Sequence, residues 1–219
     1  IVGQDEVPGT GRAVEQAISA LPSDFDGTVV VLSGDVPLID AVTIERLVRG
    51  HLEGGRAMTM LSAIFENPTG LGRILRDSSG AVTGIVEEKD ATDTQRRITE
   101  INGGIYVFAR RAIEQALTEI DTNNAQGEKY LTDAAARILA SGGAVEAVAT
   151  NDPWLIAGVN DRVQLAEAGR ELNARIVRDH QRAGVTIQDP TATWIDADVS
   201  IDADVEILPG TYLHGATSI

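Results

Sequence analysis

Thr28-Val29-Val30-Val31-Leu32-Ser33-Gly34-Asp35 is a continuous apolar, mostly β-branched run closed by a polar turn. A run that is apolar at consecutive positions, rather than alternate ones, reads as a strand buried on both faces, as in a parallel sheet. Asp40 follows as a candidate N-cap, with Val42, Ile44, Leu47 and Val48 behind it, so the first legible unit is strand, loop, helix. Working outward, Ala57 to Ile64 forms a second strand, and Ile105 to Phe108 a third, ahead of a helical Arg110 to Ile120. Gly72-Arg73-Ile74-Leu75 and Ala81 to Val86 flank the turn Asp77-Ser78-Ser79-Gly80, which predicts a hairpin inserted in the sheet. Tyr130 to Leu139 and Ala144 to Val148 add one more helix and strand. Strands alternating with helices make the fold class α/β.

The period changes towards the C-terminal end. Asp161 to His180 is the longest helical pattern, with Leu165, Ala168, Leu172 and Ile176 at spacings of three and four, Asp161 as N-cap and Gln164 three positions on. Beyond Gly184, Ile195, Ile201, Ile207, Leu213 and Ile219 recur every six residues, in register with Val199, Val205, Thr211 and Thr217. Hexads of this kind signal a parallel β-helix, each hexad forming one side of a triangular coil, with fewer than two coils visible here.

Composition excludes several classes. The 219 residues carry 18 basic and 33 acidic side chains, a net charge of −15, which repels nucleic-acid backbones and anionic membrane surfaces. Six of the acids fall after Gln188, where there is no Lys or Arg, so a solvated repeat contributes −6 of the total. At 43% hydrophobic residues the chain can bury a core, and its length suits one large or two small domains. No apolar run reaches the roughly 18 residues of a membrane span. The absence of cysteine removes disulfides, thiolate metal sites and cysteine nucleophiles, and fits a reducing cytosol.

Several places can carry chemistry. Asp35 directly follows a buried strand, where α/β sheets bind ligands, and its carboxylate suits a hard divalent cation such as Mg²⁺; the same Gly-Asp pair equally serves as a turn. Gly9-Thr10-Gly11 turns into a helix and can bring backbone amides against a base or phosphate, or act as a tight connection; it lacks the third glycine of a dinucleotide fingerprint. Asn160 can complete a metal shell or simply open the long helix, while Glu87 and Asn102 sit at strand ends where they can meet sugar hydroxyls or water. His51, His180 and His214 lack zinc spacing, and Ser33 lacks the hydrolase elbow.

Gln4 with Gly9-Thr10-Gly11, Gly34-Asp35-Val36-Pro37-Leu38, Leu71-Gly72-Arg73-Ile74 and Ile85-Val86-Glu87-Glu88-Lys89-Asp90-Ala91 form an ordered series. Glu100-Ile101-Asn102-Gly103-Gly104-Ile105, Asn123-Asn124-Ala125-Gln126-Gly127-Glu128, Tyr130-Leu131-Thr132-Asp133 and Gly158-Val159-Asn160 continue it. Along the whole chain this series resembles the bacterial bifunctional N-acetylglucosamine-1-phosphate uridylyltransferase and glucosamine-1-phosphate N-acetyltransferase family.

The resemblance implies a Rossmann-like nucleotidyltransferase domain with a mixed, mainly parallel sheet over residues 1–160, N-terminally incomplete. A linker helix over 161–184 and the start of a left-handed parallel β-helix over 185–219 would follow. It implies that Gln4, Gly9 and Thr10 hold uracil, and that Gly34 lies near the nucleoside. Asp35 and Asn160 would bind Mg²⁺, with Co²⁺ or Mn²⁺ as substitutes, and serve catalysis through it, Asn160 also lying against the nucleotide sugar. Gly72, Glu87 and Asn102 would hold the sugar phosphate. In that family the sugar phosphate attacks the α-phosphorus of UTP, giving UDP-N-acetylglucosamine and diphosphate for the cell wall, in the cytoplasm. Acetyl-CoA is the co-substrate of the second activity, and the full-length protein is a homotrimer.

Arg12 stands where the family usually has histidine, and Leu71 where it often has tyrosine. The family's glycine-rich phosphate loop, with its arginine, and a later lysine have no counterpart in the chain. With no Met at Ile1 and an end inside the repeat, both termini read as cut, and that loop is expected upstream, on the order of 60 to 80 residues at ~30 per βαβ unit. The expectation is that this stretch alone does not turn over UTP, and that it is as readily monomeric as associated. The rival readings are another sugar-1-phosphate nucleotidylyltransferase with a hexapeptide tail and a non-catalytic nucleotide-binding scaffold. A small-amine acyltransferase, the third, needs more coils than the chain contains.

Overall fold

The computed structural model describes residues 2–219, which divide into two compact units, residues 2–157 and 158–219. In the first, α1 (Thr10–Ser19) precedes β1 (Thr28–Leu32), α2 (Ala41–Glu53) and β2 (Met58–Ile64). The hairpin β3 (Arg73–Arg76) and β4 (Val82–Val86) follows, then α3 (Asp93–Arg96), β5 (Glu100–Ala109) and α4 (Arg110–Glu119). A 3₁₀ turn (Leu131–Asp133), α5 (Ala134–Ala140), β6 (Val145–Thr150) and a second 3₁₀ turn (Pro153–Ile156) complete it. Local signals set these boundaries: the Asp40 carboxylate accepts from Thr43 N at 2.6 Å to start α2, and Asp77 accepts from Ser79 N at 2.8 Å to close the hairpin.

The sheet runs β4-β3-β5-β2-β6, with β1 also paired to β5. It is mixed but not mainly parallel. Only β2 and β6 pair parallel, whereas β1/β5, β2/β5, β3/β4 and β3/β5 are antiparallel. The reason is the route into β5. The chain arrives there from a hairpin rather than through a helical crossover, so β5 runs opposite to both β1 and β2 and bonds to each.

Helices cover both faces, which accounts for the uninterrupted apolar runs. Along β5, Tyr106 and Phe108 join Met58, Met60, Ile113, Leu117 and Ile138 in one core. Ile105 and Val107 point the other way, onto Leu47, Leu61 and Ile156. Phe108 is fully buried, and truncating it to Ala costs about 3–5 kcal/mol. β1 departs from the reading of a strand buried on both faces. Val29 and Val31 pack on the core, but Val30 and Leu32 are 38% and 45% exposed. Among the described residues β1 pairs with β5 alone, and Val30 and Leu32 line a cavity instead of packing under a helix.

In the second unit, α6 (Arg162–Arg182) is capped by Asp161, which accepts from Val163 N and Gln164 N at 2.8 Å. Its buried residues are Ala168, Asn173 and Val177; Leu165 and Leu172, on the apolar period with Ala168, are 58% and 43% exposed. The short strands β7 (Thr186–Ile187), β8 (Trp194–Ile195), β9 (Glu206–Ile207) and β10 (Tyr212–Leu213) pair in parallel, β7 with β9 and β8 with β10. Ser200 bridges Ser218, again in parallel. Ile187, Ile195, Val199 and Ile207 fill the space between them with Val177 and Val185. Among the described residues no helix is long and apolar enough to cross a membrane.

Candidate active site

Three groups of predicted residues assemble on the first unit. In the loop before α1, Gln4 Nε2 donates to Val7 O at 3.0 Å and to Gly9 O at 3.2 Å. Both amide hydrogens are thus used within the loop, and the carbonyl oxygen remains as an acceptor. Gly9 has φ 115°, and a Cβ there would lie 2.4 Å from Lys129 O. Only glycine permits that approach, which lets Gly11 N donate to Lys129 O at 2.8 Å and Lys129 N to Pro8 O at 3.1 Å. Thr10 Oγ1 accepts from Leu131 N at 3.2 Å. Arg12 bridges Asp5 and Glu15, and Lys129 Nζ reaches Glu15 at 2.9 Å, so charges clamp the same loop.

The second group is the turn after β1. Ser33 Oγ donates to Gly104 O at 3.1 Å, and Val36 and Leu38 are buried, which anchors the turn at both ends. Between them Gly34 and Asp35 are exposed, and the Asp35 carboxylate has no hydrogen-bond or ion-pair partner among the described residues. Thr10, Gly34 and Asp35 share one cavity of about 590 Å³ with Tyr106 and the apolar side chains of α1 and β1.

The third group lies where the hairpin meets β5. Asn102 N donates to Gly72 O at 2.9 Å, and a Cβ on Gly72 would sit 3.4 Å from Glu87 Oε2. Asn102 Nδ2 donates to the Tyr106 hydroxyl at 2.6 Å, which ties this group to the wall of the cavity. Thr132 Oγ1 donates to Glu87 at 2.9 Å. Burial raises the Glu87 carboxyl above the ordinary glutamate value, the nearby Asp133 and Asp90 charges add to that, and the Thr132 hydrogen bond only partly offsets it. Burial likewise raises the Tyr106 phenol, which stays protonated. Tyr130, also buried, has a hydroxyl with no partner among the described residues. Tyr106, Tyr130 and Thr132 carry no periodic signal that would single them out; they read as interior residues of a strand and a helix.

Exposed carboxylate, open cavity and a polar cluster with a destabilised acid are features of a ligand-binding or catalytic site. A single free carboxylate fits Mg²⁺, which takes one or two protein oxygens and fills its shell from substrate phosphates and water. Among the described residues no three acidic or histidine side chains converge to hold a metal by themselves. Asn160 belongs to the second unit, where its N–H donates to Gln164 Oε1 at 2.7 Å as α6 begins.

The family model described as nucleotidyl transferase matches residues 1–194. The chain belongs to the nucleotidyl transferase family. Among curated proteins, this nucleotidyl transferase is 57% identical over its whole length to the bifunctional protein GlmU of Clavibacter sepedonicus, of which it covers 44%. It is 54% identical to the bifunctional protein GlmU of Mycolicibacterium gilvum, again over the whole chain and 44% of that protein. The chain therefore spans less than half the length of these relatives. Among solved structures, a UDP-glucose pyrophosphorylase complexed with UDP-glucose superimposes with a TM-score of 0.50. That match is at 14% identity over 67% of this chain and 55% of the other, and it supports the α/β mixed-sheet fold.

Proposed function

We propose that this nucleotidyl transferase transfers UMP from UTP to N-acetylglucosamine-1-phosphate, releasing diphosphate and forming UDP-N-acetylglucosamine. The observation that carries this reading is the juxtaposition of Thr10, Gly34 and the unpartnered Asp35 on one cavity, with Gly72, Glu87 and Asn102 tied to its wall through Tyr106. The free Gln4 carbonyl suits the N3–H donor of uracil, whereas cytosine presents an acceptor at that position. Glu87 and Asn102 suit sugar hydroxyls. Asp35 and Asn160 would hold Mg²⁺, with Co²⁺ or Mn²⁺ as substitutes, and the ion would supply positive charge to offset the repulsion between two anionic substrates.

The same reading extends to the second unit. The parallel rungs and hexads are the start of a left-handed parallel β-helix, and residues 1–160, 161–184 and 185–219 are catalytic domain, linker helix and coil. The whole protein would also acetylate glucosamine-1-phosphate from acetyl-CoA, work as a homotrimer in the cytoplasm, and supply cell-wall precursors.

The test is turnover by the full-length protein with competing sugar phosphates, products identified by mass spectrometry. N-acetylglucosamine-1-phosphate should be the preferred acceptor, and preference for an unacetylated sugar overturns the choice. Asp35→Ala and Asn160→Ala should each lower metal-dependent turnover by about 10²-fold or more, since metal stabilisation of this kind is worth several kcal/mol. A nucleotide-binding scaffold would have no metal-dependent turnover to lose, and both variants would keep its assembly and partner binding.

A further inference from the structure

Arg73 opens β3 with a side chain that is 1% exposed. A guanidinium is seldom taken so far from water unless its donors are matched, and here they are. Nε donates to Ile98 O at 3.0 Å, Nη1 to Leu71 O, and Nη2 to Glu88 Oε2 at 2.6 Å and Arg96 O at 3.3 Å. Arg73 also stands opposite Val86 on β4 and Ile101 on β5. Gly72, Glu87 and Asn102 are therefore each one residue from a group that Arg73 bonds or faces. Gly72 lies between Leu71 and Arg73 itself, Glu87 between Val86 and Glu88, and Asn102 directly after Ile101.

We infer that Arg73 is the positioning residue of the sugar-phosphate pocket, its planar guanidinium setting the spacing of Gly72, Glu87 and Asn102 without touching the substrate. This rests on the assignment of those three residues to the sugar phosphate. The chemistry favours arginine for the task. Its fork reaches four acceptors on three chain segments at fixed angles, whereas a lysine ammonium is a flexible point donor that cannot span them. A buried ion pair adds little to stability compared with a well-packed apolar side chain, but an apolar side chain cannot hold three segments in a polar register. Displacing the pocket by about 1 Å is enough to cost up to 10²-fold in reaction rate.

The experiment compares Arg73→Lys and Arg73→Met in the full-length protein. Thermal unfolding, KM for each substrate, and calorimetric binding of UDP and UDP-N-acetylglucosamine are recorded. KM for the sugar phosphate should rise about tenfold or more while KM for UTP stays within about twofold, and affinity for UDP-N-acetylglucosamine should fall while that for UDP holds. Glu88→Gln, which keeps the shape of the partner and removes its charge, should move the same quantities in the same direction by less, and it serves if Arg73→Met fails to fold. Equal losses for both substrates that track the melting temperature would make Arg73 purely structural and overturn the inference, as would no change at all. If the wild-type protein prefers a different sugar phosphate, the substrate assignment fails by itself, and the same split measured with the preferred sugar decides the role of Arg73.

Discussion

The hydroxyl of Thr132 donates a 2.9 Å hydrogen bond to the carboxylate of Glu87, 45 residues earlier in the chain. That bond stabilises the ionised form of an acid that burial pushes towards protonation. Thr132→Val should therefore raise the Glu87 pKa further and move the acid limb of the sugar-phosphate KM profile to higher pH; a limb that stays in place would contradict the role. Stability follows with the opposite preference. The folded-state pKa of Glu87 lies above its ordinary 4.5, so its contribution is present below that value and lost as the pH rises through the folded value. Glu87→Gln, which cannot ionise, should melt higher than the wild type at neutral pH, and the gap should close near about pH 4.

Gly9→Ala tests the base loop. The new Cβ would sit 2.4 Å from Lys129 O at φ 115°, so the loop must leave its seat on Lys129 and Leu131. At about 1–3 kcal/mol of backbone strain, KM for UTP should rise about tenfold or more, with a smaller effect on the sugar phosphate. Steady-state kinetics on both substrates check this, and an unchanged KM for UTP would remove the loop from the nucleotide site.

Asn173 does for the second unit what a cap does for a helix. Its amide donates to Thr193 O at 2.8 Å and accepts from Ile195 N at 2.9 Å, tying α6 to β8. Asn173→Ala leaves two buried backbone groups unpaired and should cost about 2–3 kcal/mol, read as a lower denaturation midpoint. A loss below about 0.5 kcal/mol would mean water replaces the amide.

Residues 1–219 expressed alone should release no diphosphate from UTP in a coupled assay, because nothing in this stretch matches the glycine-rich phosphate loop. The same polypeptide should bind an apolar dye through the open side of β1, where Val30 and Leu32 are 38% and 45% exposed. Robust diphosphate release would show that the residues present are sufficient.

Much of the architecture is legible locally. The strand at Thr28 to Leu32, the Asp40 and Asp161 caps, the Asp77 turn and the hexads follow from residues within a few positions of one another, where propensity and hydrogen bonding act directly. The apolar period of α6 groups Leu165 and Leu172 with Ala168, yet both leucines are exposed while Asn173 and Val177, off that period, are buried. Periodicity marks an apolar face without naming its neighbour, and Asn173 is buried for its hydrogen bonds.

By itself the sequence determined the α/β class, the order of elements, the six-residue rhythm of the C-terminal segment and the motifs at Gln4, Asp35, Glu87 and Asn102. Only the tertiary structure decided that β5 runs against its neighbours, that one side of β1 stays open, and that Arg73 bonds Glu88, Tyr106 bonds Asn102 and Thr132 bonds Glu87. Those outcomes depend on backbone pairing and on donors meeting acceptors up to 45 residues apart, and such contacts leave no periodic trace in the chain.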